Sequence, residues 1–135
     1  MKIVDEILAP AREQELVCQT HIRQIDMLHR IVERLGKFGG SSSAGMLSIM
    51  RKLDMEEEQL NRAIDSLVDR REPALKYIDK LQGYEYSVIY RYYIMGQTWD
   101  KIADECYFSI RNVYNFRRSA LGKLEKMYNM EVHSG

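Results

Sequence analysis

Apolar residues recur along the first part of the chain at alternating intervals of four and three, the period of a helix that buries one stripe. From Val4 the positions are Val4, Leu8, Ala11, Glu15, Cys18, Ile22, Ile25, His29 and Val32, a heptad seam with two polar interruptions, Glu15 and His29. Nothing continues it beyond Leu35. The segment from Gly36 to Gly45, GKFGGSSSAG, joins helix-breaking glycines to serines and reads as a flexible loop over 36–45.

The stepping resumes at Met46 and runs through Met50, Leu53, Glu57, Leu60, Ile64, Leu67, Arg71, Ala74 and Ile78 to Leu81 in one unbroken frame. Pro73 falls inside it, and an internal proline costs on the order of 3 kcal/mol. Because the seam keeps phase on both sides, one long helix over 46–82, kinked near 69–73, is preferred to two unrelated helices. If straight, a helix of that length would span about 54 Å. Its stripe needs the first helix, a second subunit, or both, so the hairpin is expected to mediate self-association, with a homodimer favoured.

The pattern changes after residue 82. All nine tyrosines, Trp99, Phe108 and Phe116 lie after residue 76, and only Phe38 precedes them. Gly96 and Gln97 end one helix. Thr98 then caps a short helix over about Trp99 to Cys106, with Asp100 in its first turn. Tyr107 and Phe108 make a turn, and Ser109 caps a last helix from Ile110 to about Met127. Val113, Phe116, Ala120, Leu121, Leu124 and Met127 recur there as a buried stripe, while Arg111, Asn112, Tyr114, Asn115 and Arg118 occupy the opposite face. The expectation is an all-α chain: a long coiled-coil-like N-terminal helical hairpin over 1–82, a C-terminal helix-turn-helix over 84–128, and a flexible tail over 129–135.

Composition and charge sharpen this picture. The chain has 135 residues, 45% hydrophobic and 30% charged, with a formal net charge of zero, which fits an ordinary folded protein. The charge is unevenly spread: between Arg111 and Lys126 five cations face the single anion Glu125, a local excess that favours docking on phosphates in one orientation. No run approaches the roughly 18 apolar residues of a membrane span, and Asp5 and Glu6 interrupt the N-terminus where a signal peptide is apolar. Cys18 and Cys106 form no framework or CxxC pair, which points to thiols in a reducing compartment, the cytoplasm.

A short helix, a tight turn and a longer helix with a basic and amide-bearing outer face is the arrangement that places a helix in the major groove of double-stranded DNA. Arg111, Asn112, Tyr114, Asn115, Arg117, Arg118 and Lys123 are the candidate DNA-binding residues, with base contacts expected from Arg111, Asn112 and Asn115 and phosphate contacts from Arg117, Arg118 and Lys123.

The segment resembles region 4 of bacterial sigma factors. The residues that carry the resemblance are Val88, Ile89, Arg91, Tyr92, Gly96, Thr98, Ile102, Ala103, Ser109, Val113, Ala120, Leu121 and Leu124. With a helical extension and no sigma region 2, the chain is similar to phage-encoded late-gene transcription regulators of the ArpU/RinA type. The resemblance covers roughly Leu53 to Met127 and is specific only after Tyr84. It implies a sequence-specific DNA-binding regulator of phage or prophage origin that cannot itself melt a promoter. It also admits contact with RNA polymerase, as region 4 makes, although no residue spells that out. Two departures are Lys101, where an acidic residue usually precedes the Ile-Ala pair, and Tyr107, where the turn usually has glycine.

Other readings have less behind them. Cys18, His21 and His29 lack the further ligand of a metal site. No phosphate loop, dinucleotide-binding glycine pattern or nucleophile elbow occurs, so neither a cofactor nor an enzymatic activity is expected. A phage small terminase subunit also joins a helix-turn-helix to oligomerising helices, and a protein-interaction adaptor, such as an anti-repressor or polymerase-binding protein, would use the hairpin alone.

Overall fold

The computed structural model describes residues 1–37 and 43–134. Five helices follow one another, with no strand among the described residues: α1 (Ala9–Lys37), α2 (Ser43–Ile78), α3 (Gly83–Tyr93), α4 (Trp99–Cys106) and α5 (Ile110–Ser134). The all-α architecture read from the sequence is the one observed.

A π-helical turn, Val4–Leu8, leads into α1. Pro10 explains its position, since a proline has no amide to donate and its ring crowds the carbonyl four residues back. At Pro73 α2 continues without a break. It stops at Ile78, short of the expected 82, where tight turn bonds from Lys80 to Tyr77 and from Leu81 to Ile78 take over. Of the loop expected over 36–45, Gly36 and Lys37 belong to α1 and residues 43–45 to α2, while 38–42 lie outside the described residues. Gly36 falls in the last turn of α1, where glycine ends a helix rather than interrupting it.

The chain forms two compact units, Met1–Glu15 with Leu67–Gly135, and Leu16–Ser66. The division expected at residue 82 is not where the chain divides. The first unit holds both clusters of buried side chains. The larger brings Ile3, Leu8 and Ala11 from the chain's start together with Ala74, Tyr77, Ile78 and Leu81, with Ile89, Tyr93 and Ile94, and with Ala120, Leu121, Leu124 and Tyr128. The amides of Lys2 and Ile3 donate to the Glu125 carboxylate at 3.1 and 3.0 Å, so an acidic side chain of α5 satisfies helix-start donors that have no partner of their own.

The tail expected over 129–135 is helical to Ser134. Its anchors are long-range: the Tyr77 hydroxyl donates to Glu131 and the Tyr128 hydroxyl to Glu6, and the rings of Tyr77 and Tyr128 meet edge to face at 5.9 Å. The bond to Glu131, with burial, pushes the Tyr77 phenol up to about 12.

The second unit is an antiparallel pair made from the later part of α1 and the earlier part of α2. His21 bonds Glu56 at 2.8 Å, and His29 approaches Glu57 at 4.0 Å. The contact line here is displaced by one residue from the heptad count: Ala63 is buried and Ile64 is exposed, and Glu56 rather than Glu57 turns inward. A helix of 3.6 residues per turn drifts by about 20° per heptad against a 3.5 repeat, which moves the line in this direction going back from Leu67.

Candidate nucleic-acid interface

Local chemistry fixes each boundary of the helix-turn-helix. Thr98, extended, accepts the Lys101 amide on its hydroxyl at 3.2 Å and so caps α4. Ser109 accepts the Asn112 amide at 3.1 Å and caps α5. Gly96 adopts a left-handed φ of 74° in the turn between α3 and α4. Between α4 and α5 the left-handed position is taken by Tyr107, at φ 59° and ψ 37°, and the Phe108 amide returns to the Ala103 carbonyl at 2.9 Å. That is a helix-ending motif that glycine normally serves, here carrying the strain of a side chain whose ring is 95% exposed.

The three helices close on Val88, Ile102, Ala103 and Val113, which form the smaller buried cluster, with Phe108 and Phe116 against it. Tyr84 meets Phe108 edge to face at 4.9 Å and covers that end. The small side chain of Ala103 lets α5 cross α4 closely. A polar clasp joins α3 to α4: Arg91 reaches Glu105 at 2.7 Å and Gln97 donates to the same oxygen at 3.0 Å.

A four-layer stack lies beside α5. The Arg12 guanidinium rests on the Tyr92 ring at 3.9 Å, Tyr92 stacks on Trp99 at 3.7 Å with the planes 6° apart, and the Arg117 guanidinium faces the other side of Trp99 at 5.0 Å. Each cation faces an aromatic quadrupole, and the stack ties α1, α3, α4 and α5 to one another. Sequence reasoning had no signal for Arg12, eighty positions from its partner.

The seven candidate residues do not share one environment. Arg111, Asn112, Asn115 and Arg118 are exposed on the outward face of α5, and among the described residues neither arginine is paired with a carboxylate. Tyr114 is partly exposed at the edge of that face, its ring 6.4 Å from Trp99. Arg117 points back along the stack. Lys123 donates to Glu85 at 2.9 Å, and Ser119 donates to the other oxygen of the same carboxylate at 2.7 Å. Those two bonds hold the Glu85 carboxyl below its ordinary range. Ser119 and Lys126, also exposed on α5, extend the outward face beyond the residues singled out from the sequence. Glu125, the one anion of the basic segment, accepts the two N-terminal amides, so part of its charge is already answered within the fold.

Among the described residues no three metal-ligating side chains stand together, and no helix is long and apolar enough to cross a membrane. The chain matches no protein-family model, no curated protein and no solved structure.

Proposed function

We propose that this chain is a sequence-specific DNA-binding transcription regulator that reads the major groove of double-stranded DNA with the N-terminal half of α5. The observation that carries the reading is the outward face of that helix: Arg111, Asn112, Asn115 and Arg118 project together and spend no charge within the fold, while the other side of the helix is packed. Arginine and asparagine there match the bidentate edges of guanine and adenine. A helix that served only as a solvated surface would gain more from intrahelical pairs of Glu and Lys.

Within this reading Arg117 and Lys123 have a second role. Each is engaged inside the fold, so each orients α5 first and reaches phosphate only from a fixed position. Kinship with phage late-gene regulators of the ArpU/RinA type, cytoplasmic action and contact with RNA polymerase belong to the same proposal and rest on the residue pattern from Val88 to Leu124. Gel-shift titration of the whole chain with fragmented genomic DNA tests it: selective retention of a few fragments, weakened by salt, is the expected result, and no retention at low salt would overturn it.

A further inference from the structure

The core of the helix-turn-helix accounts for nearly every apolar side chain of α5. Val113 and Phe116 belong to the smaller buried cluster, and the apolar residues from Ala120 to Tyr128 to the larger. Before Met130 two apolar residues of α5 belong to neither, Ile110 and Tyr114, which are 38 and 41% exposed. They stand four residues apart in the first turns of the helix, so their side chains are neighbours about 6 Å apart on one edge of it. A helix start that met only water would gain more from acidic residues at these places.

Three arginines border this apolar pair. Arg111 follows Ile110 directly, and Tyr114 lines one surface hollow with Arg117, Arg118, Leu121 and Met1. Among the described residues none of the three is paired with a carboxylate. The first acid along α5 is Glu125, about three turns on from Tyr114 and bonded to the amides of Lys2 and Ile3. Asp5 lies in electrostatic range of Tyr93, and so do Arg117 and Arg12.

Resting on the proposed reading of the major groove by α5, we infer that Ile110 and the Tyr114 ring seat the 5-methyl group of a thymine, beside the bases met by Arg111, Asn112 and Asn115. Position decides for DNA over a protein partner. The pair occupies the same two turns as Arg111, Asn112 and Asn115, so whatever those three meet also meets the pair. The chemistry of the groove then selects the base. Guanine, adenine and cytosine present hydrogen-bonding atoms there, whereas thymine adds a carbon group. An apolar side chain set against a polar base edge strips it of water and returns no hydrogen bond, which is unfavourable; against the methyl it gains burial. The preference thus comes from a penalty on the other three bases as well as from contact with one.

Deoxyuridine in place of thymine removes that methyl alone and keeps the base pairing. In the best genomic site each thymine is replaced singly, and binding of the whole chain is measured by competition titration at fixed salt. For the parent, one replacement is expected to weaken binding about fourfold, the effect of one buried carbon group. A variant carrying Ile110→Ala and Tyr114→Ala is expected to bind the thymine and deoxyuridine duplexes alike. Both side chains are partly exposed and outside the buried clusters, so the variant keeps its fold. If its melting temperature falls, Ile110→Ala alone serves the same design. A best site without thymine, no loss at any replacement, or a loss that the variant shows in full would each overturn the inference. In those outcomes the parent still prefers its site to a scrambled duplex and the proposed function stands, whereas a parent that binds no DNA overturns both.

Discussion

Arg71 of α2 and Glu15 of α1 meet with Nη2 and Oε1 2.6 Å apart, and each is a polar interruption in an otherwise apolar heptad seam. The same guanidinium donates to the Ile94 carbonyl at 3.1 Å, so it joins the start of α1 to the end of α3. Burial raises the Glu15 carboxyl and Arg71 pulls it back, which marks a charge that depends on its partner. Arg71→Ala leaves the carboxylate and the carbonyl unanswered in a partly buried place, and is expected to cost about 1–3 kcal/mol. Urea unfolding of parent and variant checks this; a loss below about 0.5 kcal/mol would reduce the pair to a surface contact.

Leu8 is fully buried, in one cluster with Ile78, Leu121 and Leu124. Leu8→Ala is therefore expected to cost about 2–5 kcal/mol, as much as Leu121→Ala. Thermal melting followed through the Trp99 fluorescence reads the helix-turn-helix directly. If Leu8→Ala leaves that transition in place while Leu121→Ala lowers it, the start of α1 is not part of this core.

Tyr107 holds a left-handed backbone with its ring in solvent. Replacing it by glycine removes the steric cost and loses little packing, so Tyr107→Gly is expected to stabilise the fold by about 1 kcal/mol. A destabilised variant in the same melting experiment would mean that the ring has a contact that outweighs the strain.

Glu85 links acid stability to the placement of α5. Its carboxyl is depressed in the folded chain by Lys123 and Ser119, so its contribution is full above the ordinary value of 4.5 and is lost as pH falls through the folded value. Relative to Glu85→Gln, the parent's advantage should hold at neutral pH and shrink progressively below pH 4.5. Parallel stability curves for the two chains down to acid pH would contradict this assignment.

What could be read from the sequence was local. Thr98, Ser109 and Gly96 act locally, and the turn between α3 and α4 and the caps of α4 and α5 follow from them. The seams were legible near Glu15 and Arg71, two polar interruptions that face each other. Further from that pair the contact line drifts, and Glu56, not the seam position Glu57, turns inward to His21. What could not be read was long-range. Nothing near Ile3 or Leu8 signals that they pack under α5, and nothing near Asn129 signals that Tyr77 and Tyr128 hold that helix onward to Ser134 through Glu131 and Glu6. The candidate interface divides in the same way. The outward period of Arg111, Asn115 and Arg118 is a property of one helix, whereas Arg117 and Lys123 depend on Trp99 and Glu85 from others.

The central claim is that α5 reads base edges near its start and phosphate further along. Binding of parent, Asn115→Ala and Arg118→Ala to the best genomic site and to a scrambled duplex, across a salt series, tests it most directly. Asn115→Ala is expected to lose about 1–3 kcal/mol on the site and little on scrambled DNA. Arg118→Ala is expected to weaken both duplexes alike and to flatten the salt dependence by about one unit of slope per protomer. Equal, salt-independent effects of the two substitutions, or no DNA binding by the parent, would contradict the account.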